Sequence, residues 1–437
     1  TPSTPALDHL VGEGVCLTQH YSASAVCAPA RAALLTGRYP HRTGAIDTLE
    51  GRGSDRLALH EVTLADALKN AGYATGLIGK WHNGALDPRY HPNKRGFDEF
   101  AGFCGGWQNY YQWRLDYNGG MRHADGRYLT DVFAEEAANF IRRHHAEPFF
   151  LMVTFNAPHF PLQVPEEESA PFEELGRFTR AVSAIYGMIA RMDKGVTRII
   201  ESLEDYGLTN DTLVMFTSDN GPQFGGEGEA CTTRYNSSFN GCKGNVYEGG
   251  IRVPMVLRWP GGLSQGGRCN AFVHFCDWFP TLLALAGARS RGSLPLDGVD
   301  ILPVLRAEQT PDRARRFWQW NRYRPVKTCD AAMRDGDWKL VRPSIAEAMT
   351  LTDADCEVDH ALKYEPDRFD GLAGIPEPER TIPAPPPPQL FKIDEDPFER
   401  EDRAAEEPKR TERMLDELDA WFDEVEGERQ RLAESWT

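Results

Sequence analysis

The chain has 437 residues, with 48 Lys and Arg against 65 Asp and Glu and a formal net charge of −17. That balance argues against nucleic acid as the main partner, and an anionic substrate needs a local basic pocket set against the overall field. The composition, 41% hydrophobic and 26% charged, is that of a large globular protein. No apolar run approaches the ~18–20 residues of a membrane-spanning helix.

In chain order, the segment around Asp8 reads as amphipathic and helix-like. Cys27-Ala-Pro-Ala-Arg31 opens a short helix. Pro29 suits a first turn, Ala32 to Leu35 propagate it, and Gly37 ends it. Cys27 then sits at the positive end of the helix dipole, with Arg31 one turn on along the same face. Leu64–Ala71 reads as helix and Ala74–Ile78 as a short strand. Helical spacing over Asp131–His145 precedes the apolar run Phe149–Phe155. A long amphipathic helix over Phe178–Tyr206 precedes a strand at Leu213–Thr217, and Val253–Trp259 is a further strand. Helices alternating with uniformly apolar strands predict an α/β fold with a mostly parallel sheet covered on both faces.

From about residue 311 the texture changes. Short strands are expected at Arg316–Asn321, Ala332–Met333 and Trp338–Val341, a stiff proline-rich stretch over Thr381–Pro388, and a charged helix over 408–433. The chain is therefore divided into a larger unit over 1–310 and a smaller α+β unit over 311–437.

Nine cysteines include no C-x-x-C pair, so zinc ribbons and thioredoxin-type motifs are unsupported. The odd count leaves at least one thiol free, or one cysteine modified, and cellular location is left open.

Polar clusters fall at the carboxyl ends of the expected strands, where ligands bind in open parallel sheets. They are Gly79-Lys80-Trp81-His82, Asn156-Ala-Pro-His159-Phe-Pro161 and Ser218-Asp219-Asn220-Gly221. A fourth, the block from Lys243 through Glu248-Gly-Gly to Pro254, precedes the strand at 253–259. Singly, each fits a turn or a solvated surface. Together at one sheet edge they suit the holding of an anion.

The C-x-P-x-R run with A-x-L-L-T-G behind it resembles the signature of the type I, formylglycine-dependent sulfatases of the alkaline phosphatase-like superfamily. G-K-W-H, the P-H-x-P loop, S-D-N-G and K-G-x-x-x-E-G-G-x-R-V-P match the family's blocks in the same order. The resemblance implies that Cys27 is oxidised to formylglycine by a maturation enzyme, and that Arg31 orients it. Lys80 and His82 would flank it, His82 as the base that collapses the sulfated enzyme. His159 and Lys243 would bind sulfate and protonate the leaving oxygen. Asp219 and Asn220, with residue 27, would ligate Ca²⁺ or Mg²⁺, since carboxylate and amide oxygens favour hard cations. In the segment 103–117, Trp107, Tyr111 and Arg114 are candidates for binding a sulfated carbohydrate.

The family pattern also includes an N-terminal strand ending in adjacent aspartates that complete the metal site. No Asp-Asp pair precedes Cys27. The expectation is a sheet lacking a central strand and a weak metal site in residues 1–437, unless Asp8 or Asp47 substitutes. Two alternatives to sulfate ester hydrolysis stay open: a phosphate or phosphonate ester hydrolase of the same superfamily, and a sulfoglycan-binding protein without turnover.

Overall fold

The computed structural model describes residues 2–309 and 315–433. In chain order its strands are β1 (Val15–Tyr21), β2 (Ala74–Lys80), β3 (Glu99–Phe103), β4 (Arg114–Tyr117), β5 (Gly120–His123), β6 (Phe149–Thr154), β7 (Val214–Thr217), β8 (Met255–Arg258), β9 (Gly267–His274), β10 (Arg316–Gln319), β11 (Ala331–Asp335), β12 (Trp338–Arg342) and β13 (Gln389–Lys392). The helices that bear on the site are α1 (Pro5–Glu13), α2 (Cys27–Thr36), α3 (Leu64–Asn70), α4 (Leu129–His144), α5 (Arg180–Asp205), α6 (Asp353–Tyr364) and α7 (Pro408–Ala433).

Among the described residues the strands form three sheets, ordered β5-β4-β3-β2-β6, β7-β8-β1-β9 and β10-β11-β12-β13. The α/β architecture is as expected, but the pairing is mixed rather than mostly parallel. β2 runs parallel to both β3 and β6, and β1 runs parallel to β9. The β3–β4, β4–β5, β7–β8 and β1–β8 pairs are antiparallel. Alternating helix and strand signals find the crossover strands. They miss β3, which runs parallel to β2, β4 and β5, which follow it by direct antiparallel return, and β1 and β9, whose apolar positions are interrupted by polar ones.

β6 and β7 are edge strands of different sheets, and both border one cavity of 1610 Å³. Ile189 and Val196 of α5, Leu34 of α2 and Leu64 of α3 also line it. The apolar run from Phe149 is therefore mostly half-buried, not enclosed on both faces. Its side chains border this space.

α5 forms almost as read. Thr179 caps it, its hydroxyl accepting from the Val182 N–H at 3.2 Å. The carboxylate of Asp193, buried on α5, accepts the Ala6 and Leu7 N–H groups at 2.9 and 3.0 Å. These are two of the unpaired donors of the first turn of α1, so Asp193 fixes α1 against α5.

The third sheet does not keep a core to itself. Met333, Leu340 and Leu390 pack with Met414 and Leu418 of α7 and with Val15 and Leu257 of the β7-β8-β1-β9 sheet. The boundary expected at about 311 lies within residues 310–314, outside the described residues. Segment 381–388 is largely exposed and carries no helix or strand.

Candidate active site

α2 begins at Cys27, directly after the turn that leaves β1. Gly37 closes the helix in the left-handed conformation (φ 72°), its N–H donating to the Ala33 carbonyl. The thiol is buried at the helix N-terminus. Burial pushes it up, but Lys243, Lys80 and Arg31 together outweigh burial and the opposing Asp219, and hold it below the usual thiol range.

Arg31 ties three segments together. Its Nε donates to Asp219 Oδ2 at 3.0 Å, and Nη1 donates to the Lys80 carbonyl at 3.0 Å. Thr154, at the end of β6, donates to the same carbonyl at 2.7 Å. The last residue of β2 is thereby locked to β6 and to α2. Ser22 donates to the Asp219 carbonyl at 2.6 Å, placing the loop after β7 against the turn that precedes Cys27.

That loop also depends on close backbone approach. The Gly221 N–H donates to the Gly250 carbonyl at 2.8 Å, and a Cβ at Gly221 would lie 1.8 Å from the Gly249 carbonyl oxygen. Gly221 is thus a packing requirement of the Asp219-Asn220 loop. Cβ atoms on Gly249 and Gly250 would lie 2.3 Å from the Gly241 carbonyl oxygen and 1.9 Å from that of Asn245, so this pair is required by the segment that carries Lys243 and is not only a turn.

Cys27, Arg31, Lys80, His159, Asp219, Asn220 and Lys243 all line the same end of the cavity. The His159 Nδ1 is 2.9 Å from the Phe160 carbonyl. A carbonyl only accepts, so Nδ1 carries the proton and Nε2 is bare. Lys243 Nζ donates to that Nε2 at 3.3 Å. Burial, then Lys243 and Lys80, push His159 well below the usual imidazole range, so it stays neutral. Burial likewise lowers Lys80, with Cys27 and Asp219 opposing. Three cations face one carboxylate here, which makes a local anion site in an acidic protein.

His82 does not line the cavity with the others. It is buried beside Thr48 and Glu50, with Nε2 3.3 Å from the Thr48 carbonyl and Nδ1 without a protein partner. Its backbone lies in the left-handed region (φ 57°), a conformation of order 1–3 kcal/mol above the ordinary wells.

For a cation, Asn220 Oδ1 is buried with no partner and the Asp219 carboxylate lies beside it. Both are donors of the right kind. A hard cation takes about six to eight oxygens. Among the described residues no group of three His, Cys, Asp or Glu gathers as a metal would need. Asp47 is buried and committed to Arg322 Nη1 at 2.9 Å and the Tyr323 N–H at 3.0 Å. Asp8 is exposed on α1. Neither substitutes, and two donors do not make a calcium or magnesium site.

The three sugar candidates separate. Trp107 stands 5.2 Å from the ring of Phe160, next to His159, with its Nε1 donating to Asp359 at 3.0 Å. Arg114 is paired with Asp367 at 2.9 Å. Tyr111, half exposed, stacks at an angle on Tyr128. Tyr110 and Trp113 of the same segment are core residues. Sequence reasoning missed Ser22, Thr154, Glu50 and Lys363. None sits in a motif, and each meets its partner only across the fold.

The sulfatase family model matches residues 1–288, and the model described as N-sulphoglucosamine sulphohydrolase, C-terminal, matches residues 241–358. The chain belongs to the sulfatase family. It is 35% identical to the steryl-sulfatase of Mus musculus over 70% of its own length and 62% of that protein's. It is 32% identical to the N-acetylgalactosamine-6-sulfatase of Sus scrofa over 73% of this chain and 64% of that one. It thus spans somewhat under two thirds of these relatives. Among solved structures it superposes on Ps i-CgsB with a TM-score of 0.79 and 30% identity, covering 96% of this chain and 87% of that one.

Proposed function

We propose that this protein hydrolyses sulfate esters, with a sulfated carbohydrate as substrate and Cys27 matured to formylglycine. The observation that carries the reading is the meeting of Lys243 Nζ with bare His159 Nε2 at 3.3 Å, in the cavity end that also holds Cys27 and Arg31. Support for a carbohydrate comes from Ps i-CgsB, which has been solved in complex with k-i-k-neocarrahexaose, and from the N-acetylgalactosamine-6-sulfatases.

Residue 27 would carry the formylglycine, which would supply a hydrated aldehyde with one hydroxyl as nucleophile and a second to be deprotonated for sulfate release. The residues of the chain do the rest. Lys80 and Lys243 hold the sulfuryl oxygens, whose negative charge is shared in transfer. Arg31, anchored on Asp219 and the Lys80 carbonyl, keeps α2 and therefore residue 27 in register with them. Lys243, hydrogen-bonded to neutral His159, holds the proton that the departing alkoxide takes. His82, buried behind the cavity lining beside Lys80 and Arg31 with Nδ1 bare, would accept the proton that sulfate release gives up. Among the described residues, Asp219 and Asn220 are too few to hold a divalent cation.

The test is release of inorganic sulfate from sulfated oligosaccharides by protein co-expressed with a formylglycine-generating enzyme, beside a Cys27→Ala control. Sulfate release lost in the control is the expected result. Equal release in both, or none from either, overturns the reading. Tight glycan binding without release would favour the second reading, a sulfoglycan-binding protein, which the two-donor cation site supports.

A further inference from the structure

His82 is enclosed by groups from three separate segments, 48–50, 105–106 and the end of α6. Thr48 offers its carbonyl 3.3 Å from Nε2, so the one proton of the neutral ring sits on Nε2. The Glu50 carboxylate stands 3.9 Å from the same nitrogen, on its proton-bearing side. Glu50 is itself buried. It accepts the Gly106 N–H at 2.6 Å and pairs with Lys363, whose side chain is 5% exposed.

Lys363 arrives at the end of α6, which is pinned to the same region twice more. Arg52 donates to Asp355 at 2.6 and 3.0 Å, and Trp107 donates to Asp359 at 3.0 Å. Gly105 and Gly106 run through the middle of the cluster. A Cβ at 105 would lie 2.6 Å from Lys363 Nζ, and one at 106 would lie 2.7 Å from His82 Cε1. The Gly-Gly pair admits the cluster because it has no side chains.

We infer that Glu50 and Lys363 are positioning residues for His82: the Glu50 carboxylate reinforces the Nε2–H tautomer that the Thr48 carbonyl selects, and the Lys363 ammonium cancels that carboxylate's charge so that the imidazole stays neutral with Nδ1 free. The inference rests on the reading of His82 as a proton acceptor. A lone carboxylate beside an imidazole favours the imidazolium, which has no lone pair and cannot act as a base. The other charged groups facing the ring, Lys80 and Arg31, disfavour a second proton, and burial acts more strongly in the same direction. Asp55, beside Glu50, is pushed up to about 7 by burial and by Glu50, so it adds little negative charge below neutrality. Neither Glu50 nor Lys363 belongs to a sequence block that points to chemistry.

The experiment is ¹⁵N NMR of the histidine rings in the matured protein, with His82 assigned from His82→Asn, alongside the pH dependence of sulfate release. Wild-type His82 should be neutral with its proton on Nε2. Lys363→Met should raise the pH at which His82 protonates, and move the acid limb of kcat upward by about one pH unit, with KM nearly unchanged. Glu50→Gln should weaken the preference for the Nε2–H tautomer and lower kcat without that upward shift. Lys363→Arg should restore wild-type behaviour. If the single variants do not fold, the double Glu50→Gln/Lys363→Met variant buries no unpaired charge; its ring should be neutral, with a larger share of the Nδ1–H tautomer than in the wild type. Wild-type tautomer and pH limb in these variants, with His82→Asn inactive, overturn the inference alone. A fully active His82→Asn overturns the reading of His82 itself, and the inference with it.

Discussion

Lys243 and His159 reach each other from the two halves of the cavity. Lys243 comes from the segment between β7 and β8 and His159 from the loop after β6, and the ammonium donates to the imidazole Nε2 at 3.3 Å. The direction of that bond follows from the Phe160 carbonyl, which takes the only ring proton at Nδ1. The pair therefore carries its transferable proton on the lysine.

Changing either member should cost turnover rather than stability. His159→Ala and Lys243→Ala are each expected to lower kcat by ~10²–10⁴-fold, the usual range for a lost general acid or base. Urea midpoints should move little, because both side chains border a cavity. Near-wild-type kcat in either variant would remove that residue from the chemistry.

Cys27 should carry the modification in protein matured with the generating enzyme. Mass spectrometry of the peptide ending at Arg31 is expected to show sulfur lost and oxygen gained at residue 27. An intact thiol in an active, fully matured preparation would contradict the assignment.

Asp55 makes stability depend on pH in a direction opposite to most carboxylates. Burial first, and Glu50 second, raise it from 3.8 to about 7 in the fold. Its folded value lies above the unfolded one, so its contribution is fully present below pH 3.8 and is lost as pH rises through about 7. Asp55→Asn keeps an oxygen for the Gly84 and Ala85 N–H groups that Oδ2 now accepts at 3.0 and 3.3 Å. The variant should show a flatter urea midpoint between pH 4 and pH 8. An unchanged slope would mean that Asp55 is ionised throughout.

The Glu248 of the Lys243 block is structural. Lys339, fully buried, pairs with Glu248 at 2.9 Å and Glu399 at 2.8 Å. Lys339→Met leaves two carboxylates buried without that partner and should cost about 3–5 kcal/mol of unfolding free energy. Equilibrium denaturation measures it, and a loss below ~1 kcal/mol would show that the triad contributes no more than a surface pair.

Calcium or magnesium should bind residues 1–437 weakly, with a dissociation constant no tighter than ~10⁻⁴–10⁻³ M. Among the described residues only Asn220 Oδ1 and the Asp219 carboxylate offer themselves, and Asp219 is already shared with Arg31. Calorimetry showing stoichiometric micromolar binding would mean that other oxygens complete the site.

Read by itself, the sequence was enough to specify what is local. The Cys27 helix and its Gly37 cap, the long helix over Arg180–Asp205, and the polar residues at the ends of β2, β6 and β7 all follow from periodicity and turn chemistry acting over a few residues. The family blocks named Cys27, Arg31, Lys80, His159, Asp219 and Lys243, and the fold brings these six to one cavity end. Tertiary structure alone decided the rest. Pairing direction in the sheets depends on which distant strand docks beside which, so β1 and β9 were invisible and the sheets are mixed. Asp47 looked free until Arg322 and Tyr323 were seen to claim it. Trp107 and Tyr111 are near neighbours in sequence yet face different surroundings. The grip on His82 joins residues 48, 50, 106 and 363, and a contact between segments hundreds of residues apart leaves no trace in the local pattern of either.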